Sequence, residues 1–379
     1  MIEGLVESFA TLDDPRCPGK VEHRLVDILV IAVCAVVAEA ETFEDIALYG
    51  RCKEAWLRGF LELPGGIPSH DTFRRVFMLI DPDAFERCFL AWARAAFRSE
   101  DGDEGAATPE QVAVDGKVVR HSFDRRHGRS PLHLVSAYAT GRGLVLAQRA
   151  VDDKGGEPSA LPAVLDGLHL DGCLVSLDAL GCRRDVAEHI RARGADYLLA
   201  LKANQGKIHD EVRAWFAEHA FGRGGDLRPC FDAFDGTHGR LVRRRVFACP
   251  NAGCFATLED WPGVNAVLAT ETIRGVNGTG VVTAEIRHYL SSSTAPPEAL
   301  ARAIRRHWAI ENGQHWVLDV TFGEDRSRVR ERTAARNLAV LRRIALDLLR
   351  ADASLKASIK GKRKIAAWDD TYMAKLLKG

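Results

Sequence analysis

"QVAVDGKVV", residues 111–119, alternates like a β-strand and carries an aspartate, Asp115, at its centre. A charge on an otherwise apolar strand is expensive to bury unless it is paired or bound to metal. Further strand patterns follow in "PLHLVSAYA" (131–139), "GLVLAQRAV" (143–151), "GCLVSLDA" (172–179) and "DYLLALK" (196–202). Between the last three lie the helical stretches "SALPAVLDGL" (159–168) and "RRDVAEHIRARG" (183–194), the second closing on a glycine. The order β-β-β-α-β-α-β predicts antiparallel strands first and crossovers afterwards. The fourth strand ends in a second acid, Asp178.

Upstream, residues 1–100 read as helices, with a turn at "LPGGIP" (63–68) and a helix start at Ser69 in "SHDTFRRVF". "SEDGDEGAATPE" (99–110) reads as an acidic linker. The longest apolar run, "ILVIAVCAVVA" (28–38), is 11 residues and predicts a buried helix, since a bilayer span needs about 20. The N-terminus carries acids where a secretory signal needs bases, so the expected location is the cytoplasm. Downstream, residues 225–292 return to β character in "RLVRRRVFA", "VNAVLATETI" and "TAEIRHYLSS". "SSSTAPPEAL" (291–300) opens a helix, and an amphipathic helix follows at about 333–350, with Leu338, Leu341, Ala345 and Leu348 on one face. The expected units are a helical domain (1–105), a core (106–224), a β-rich insertion (225–292) and a completion of the core (293–379).

Zero net charge hides an asymmetry. Residues 1–110 hold 11 Lys and Arg against 21 Asp and Glu, whereas residues 301–379 hold 18 against 9. The basic "SIKGKRK" (358–364) suits a polyanion partner; the alternatives are a solvated face or mutual attraction of the two ends. Nine cysteines without a CxxC pair argue against a disulfide framework. Cys230, Cys249 and Cys254 lack a fourth zinc ligand at a suitable spacing.

A third acid, Glu311, stands in "HWAIENGQHW" (307–316). It is read as a zinc ligand with His307 and His315, as the last member of an acidic site, or as an ordinary helix residue. The joint placement of Asp115, Asp178 and Glu311 favours the acidic site. In a ribonuclease-H-like mixed sheet, the centre of strand one adjoins the end of strand four, and the helix after strand five packs beside them. Three carboxylates there suit two Mg²⁺ or Mn²⁺ ions, because hard cations prefer oxygen ligands. Glu324 and Asp325 in "FGEDRSRVR" compete for the place of third acid.

Taken in order, "DPRCPGKVEHRL", "GIPSHDTFRRVF", "AVDGKVVRHS", "SPLHLVSAYA", "VSLDALGC", "LLALKANQG", "HGR", "HWAIENGQHWVLDVTFGEDRSRVR", "RNLAVLRRIALDLLR" and "SIKGKRKIAAWDD" resemble the H-repeat-associated (ISAs-type) insertion-sequence transposases of the DDE superfamily. The resemblance covers nearly the whole chain. It implies a ribonuclease-H-like core with a β-rich insertion, in which Asp115 and Asp178 match the two aspartates and Glu311 the glutamate. It further implies metal-dependent cleavage at element ends and transfer of a 3′-hydroxyl into target DNA, with double-stranded DNA as partner, terminal repeats and target alike. A homodimer is expected, since two ends must be brought together, and no membrane is involved. The related signature Y-x2-R-x3-E-x6-K is only partly present: its Tyr, Arg and Lys positions hold Ile304, His307 and Leu318, with Arg305 and Arg306 nearby to supply charge. A nuclease of the same fold and a catalytically silent DNA-binding relic are the alternative functions.

Other residues are candidates for DNA contact. Lys202, Asn204 and Gln205 follow the fifth strand at the sheet edge of Asp178, where a lysine and two amides suit phosphate and sugar. Lys117 shares the strand face of Asp115 and suits either DNA or an ion pair with that acid. His238 and Arg240 in "THGRLVRRR" open a basic strand of the insertion, and His307 and His315 suit phosphate contact or packing. Trp261, Trp308 and Trp316 are expected to pack, with stacking on an unpaired base as the other reading.

Overall fold

Strand β1 (Gln111–Val119) is central in the computed structural model, which describes residues 2–96, 110–151, 156–222, 225–237, 240–249, 251–276 and 282–378. Its neighbours are β2 (Leu132–Ala139), antiparallel, and β4 (Leu174–Leu177), parallel. Val112, Ala113 and Val114 are all buried, so the strand is covered on both faces rather than half-exposed as the alternation suggests. The edge strand β3 (Leu144–Val151) pairs with β2, and β5 (Asp196–Leu201) runs parallel to β4. The helices Glu157–Asp166 and Arg184–Arg191 supply the two crossovers. The chain is thus mixed α/β, built on one large mixed sheet.

The stretch 225–292 continues that same sheet. It contributes β6 (Phe231–Thr237), β7 (Arg240–Ala248), β8 (Ala266–Val276) and β9 (Val282–Ser291), and β9 pairs antiparallel with β5. The full order is β3-β2-β1-β4-β5-β9-β8-β7-β6. The sequence pattern misses β6 because "FDAFDGT" has no sustained apolar alternation. Its two aspartates pair across the strand instead, Asp232 with Arg243 at 2.6 Å and Asp235 with Arg244.

The helix Leu25–Val37 holds the longest apolar run and is buried along almost its whole length. It packs against Arg332–Ala351, which presents Leu338, Leu341, Ala345 and Leu348 to one hydrophobic core shared with Phe9, Phe73 and Trp92. Residues near the two ends of the chain therefore build a single helical body. Ser69 caps the helix His70–Leu79 as its sequence predicts, its Oγ accepting from the Thr72 amide at 3.2 Å. Among the described residues no helix is long and apolar enough to cross a membrane. The acidic linker expected at 99–110 lies, apart from Glu110, outside the described residues.

This packing gives the charge asymmetry an internal partner. Glu41 pairs with Arg326 at 2.7 Å, Asp83 pairs with Arg336, and Lys53 pairs with Asp370 at 2.6 Å. Half-exposed pairs contribute only about 0–1 kcal/mol each, so apolar burial dominates the association. "SIKGKRK" divides: Lys360 and Lys364 are exposed, and the other two cations turn inward. Lys362 and Arg363 are buried and donate to helix-end carbonyls, Lys362 Nζ to Leu349 O and Arg363 Nη2 to Val36 O, both at 2.9 Å. Cations at helix C-termini satisfy orphan carbonyls and oppose the negative end of the helix dipole.

Candidate active site

The parallel register of β1 and β4 sets Val114 against Leu177, so the next residues, Asp115 and Asp178, emerge side by side. Asp178 lies just past β4, where its Oδ1 accepts from the Leu180 amide at 3.0 Å. Glu311 follows the helix Pro297–His307, in a single π turn spanning Ile310–His315. Asp115, Asp178 and Glu311 line one cleft of about 510 Å³ at the carboxyl ends of β4 and β5, joined there by Lys202 and His307. Such an edge is a usual place for a site in α/β sheets.

The π turn corrects the expectation of one continuous α-helix. The Trp316 amide donates back five residues to Glu311 O, which widens the turn; single π turns occur often at functional sites. His307 and His315 consequently do not flank Glu311 as ligands. His307 Nδ1 lies 3.0 Å from Ser176 Oγ, and His315 Nδ1 lies 3.5 Å from Asp115 Oδ2. The two imidazoles are thus directed to Ser176 and Asp115 rather than to Glu311, which speaks against the His–Glu–His zinc reading. Among the described residues no three His, Cys, Asp or Glu side chains, the three acids included, are drawn together as a ready-made metal cage. The three acids face an open cleft rather than a closed cage.

Burial raises the Glu311 carboxyl above its ordinary range; Arg287 opposes the rise and the charge of Asp178 adds to it. Burial likewise drives His307 down to about 4, against the pull of Asp178. His315 falls to about 3, through burial and then the charges of Lys117 and Arg343. Both imidazoles are neutral at pH 7.

The remaining candidates divide. Lys202 is exposed at the cleft. Lys117 is only 5% exposed and points into the protein, bonded to Asp319 and paired with Glu324 Oε2 at 3.1 Å. Its charge is thus engaged inside the protein by two acids of the C-terminal stretch. Glu324 is itself completely buried, 3.3 Å from Arg343 and 3.9 Å from Arg342, so it serves as the centre of an ion cluster rather than as a third cleft acid. Arg305 is exposed and pairs with Asp235 at 3.1 Å, and Arg306 is exposed on the same helix. Arg240 opens β7, and His238 lies outside the described residues. Trp261 is buried, whereas Trp308 and Trp316 are exposed, contrary to their expected packing; Trp308 borders the open cleft.

Asn204 and Gln205 act on the protein itself. Asn204 Nδ2 donates to Ala179 O at 2.9 Å and Gln205 Nε2 donates to Cys182 O, tying the loop after β5 to the loop that carries Asp178. Asn204→Ala is expected to slow metal-dependent turnover about 10–100-fold, the usual cost of losing a residue that orients a ligand, without weakening DNA retention. Single-turnover cleavage beside a gel-shift measurement checks this; equal losses in both would mean direct DNA contact.

Sequence reasoning missed Arg287 and Tyr289 of β9, which line the cleft wall. Arg287 sits 5.0 Å from the Trp308 ring centroid and pairs with Glu285 at 2.7 Å. The signal was present in "AEIRHYL", where Glu285, Arg287 and Tyr289 alternate with Ile286, His288 and Leu290.

Comparison with known proteins matches residues 106–348 to the family described as Transposase DDE domain, and residues 6–93 to the family described as DDE_Tnp_1-associated. The H repeat-associated protein YhhI of Escherichia coli (strain K12), which carries a transposase name, is 34% identical over 385 residues, covering 100% of this chain and 98% of that one. YncI of Escherichia coli O157:H7, also named as a transposase, is 36% identical over 382 residues, covering 99% of this chain and 95% of its own. A cryo-EM structure of a piggyBac transposase synaptic complex with hairpin DNA is a looser likeness, with a TM-score of 0.47 and 9% identity over 100% of this chain and 78% of that chain. Matched from end to end by such relatives, the chain belongs to the H-repeat-associated DDE transposases.

Proposed function

We propose that the chain cuts DNA at the ends of its own mobile element and joins the freed 3′-hydroxyl to target DNA, with Asp115, Asp178 and Glu311 as its catalytic acids. The observation that carries this reading is the meeting of these three carboxylates, from three distant parts of the sequence, in one cleft. The sheet order β3-β2-β1-β4-β5, with the first three strands antiparallel and β1, β4 and β5 parallel, supports a ribonuclease-H-like core. In this reading residues 106–224 and 293–379 form the catalytic unit, its last helices sharing a core with those of 1–105; 225–292 extends it, and the helices of 1–105 also serve protein contact, including a homodimer that brings two element ends together.

The donor set fits Mg²⁺ or Mn²⁺, being carboxylate oxygen throughout, and Asp115, Asp178 and Glu311 would hold the ions. Bound in a pair, such ions supply the charge stabilisation that in-line displacement at phosphorus requires. The protein's own side chains do the rest. His315 packs a neutral imidazole against Asp115 and limits its rotation. Ser176 holds His307 beside Asp178. Lys202 offers an exposed ammonium to a phosphate at the cleft mouth.

Incubating the purified protein with DNA carrying its gene's flanking sequence, with Mg²⁺ or Mn²⁺, tests the proposal. Cut and joined products are expected. Cutting without joining would make the protein a nuclease of the same fold, and retarded DNA without any product would make it a binding relic.

A further inference from the structure

A second cavity, also about 510 Å³, adjoins the acid cleft and shares with it Glu285, Arg287, Tyr289, Ile304 and Trp308. One wall is a face of β7–β9. Arg244, Thr272 and Glu285 are register partners, as are Val246, Thr270 and Arg287, so their side chains lie in rows on that face. The other wall is the helix Pro297–His307, which contributes Ala301, Ile304 and Arg305. The floor is apolar and the rim is arginine.

The rim carries an excess of positive charge. Asp235 is shared by Arg244 and Arg305, the latter at 3.1 Å. Glu285 is shared by Arg274 at 3.0 Å and Arg287 at 2.7 Å. Two carboxylates thus hold four guanidiniums in place, each with further N–H donors to offer, since an arginine has five. Holding these long side chains in advance lowers the entropy lost when they bind. Trp308, stacked under Arg287, remains 37% exposed.

We infer that this groove binds an unpaired nucleic-acid strand that continues out of the acid cleft. A single strand presents phosphates and base faces together, matching an arginine rim over an apolar and aromatic floor, whereas a duplex keeps its base faces stacked inside. The inference rests on the DNA reaction proposed above, and it assigns the strand's path to Arg244, Arg274, Arg287 and Arg305, with Trp308 as stacking surface.

The test measures fluorescence anisotropy of a labelled mixed-sequence oligonucleotide, as single strand and as duplex, across a salt series. It compares the wild type with Arg244→Gln/Arg274→Gln and with Arg213→Gln/Arg243→Gln. The second pair removes the same charge from positions outside the groove, Arg213 exposed and Arg243 half-buried and paired with Asp232. The groove pair is expected to weaken single-strand binding about tenfold and to flatten the log–log salt slope by about 1.4, the share of two lost phosphate contacts. The control pair should leave both nearly unchanged. Equal losses from both pairs, or equal losses for strand and duplex, would overturn the assignment. If the wild type cuts element-end DNA while the groove pair binds normally, only the groove assignment fails. If the wild type neither binds nor cuts, the catalytic reading fails with it.

Discussion

Replacing Glu311 with glutamine is expected to suppress metal-dependent cutting by on the order of 10³-fold while DNA retention persists. The substitution keeps shape and removes only the charge. It should not destabilise the fold, because burial and the nearby charge of Asp178 already oppose ionisation of Glu311. A melting temperature equal to or above that of the wild type, together with lost products on a gel, would assign the defect to chemistry. Cutting at the wild-type rate would remove Glu311 from the site. Asp115→Asn should give the same result, with some loss of the packing that His315 provides.

Glu324→Gln should fail for the opposite reason. It is expected to cost about 3–5 kcal/mol at neutral pH, because Arg342 and Arg343 would stay buried without their counter-charge and Lys117 would keep only Asp319. Burial alone would raise the Glu324 pKa, but Arg343, Lys117 and Arg342 outweigh it and hold it at about 2, against an ordinary 4.5. A depressed carboxyl stabilises the fold fully above its unfolded pKa, and that contribution is lost as pH falls through the folded value. Urea midpoints of wild type and variant should therefore differ widely at pH 7 and converge as pH falls from 4.5 towards 2. A constant gap across that window would remove the ion cluster as the cause. Glu324→Leu combined with Arg343→Met should recover part of the loss, since a buried ion pair is often replaceable by apolar packing.

The contrast between Glu311 and Glu324 marks what local sequence can reveal. Both are acids in the same C-terminal stretch, and nothing within a few residues separates a cleft carboxylate from the centre of a buried cluster. Their partners, Arg287 and Asp178 for one and Lys117 and Arg343 for the other, come from other elements, beyond the reach of a local pattern. The five core strands were readable because apolar runs bounded by turns are a local signal. Asp115 and Asp178 stood out because a charge within or at the end of such a run is conspicuous. β6 was not readable because ion pairs to β7, rather than apolar alternation, hold it. The π turn left no mark in the residue pattern, so helical spacing put His307 and His315 on one face when the structure sends one to Ser176 and the other to Asp115. Lys362 and Arg363 looked like surface charge because capping of remote helix ends cannot be seen from a basic run.

The shared helical core also sets an order of events during synthesis. The apolar helix Leu25–Val37 leaves the ribosome early, yet its partner Arg332–Ala351 is translated about 300 residues later. At about 5–20 residues per second, that surface waits for roughly 15–60 s without its cover. All three cleft acids precede the covering helix in the chain, so a nascent or prematurely ended product carries them on a body that cannot close. Any product that stops before Arg332 is therefore expected to leave the face of Leu25–Val37 that Arg332–Ala351 covers open to solvent.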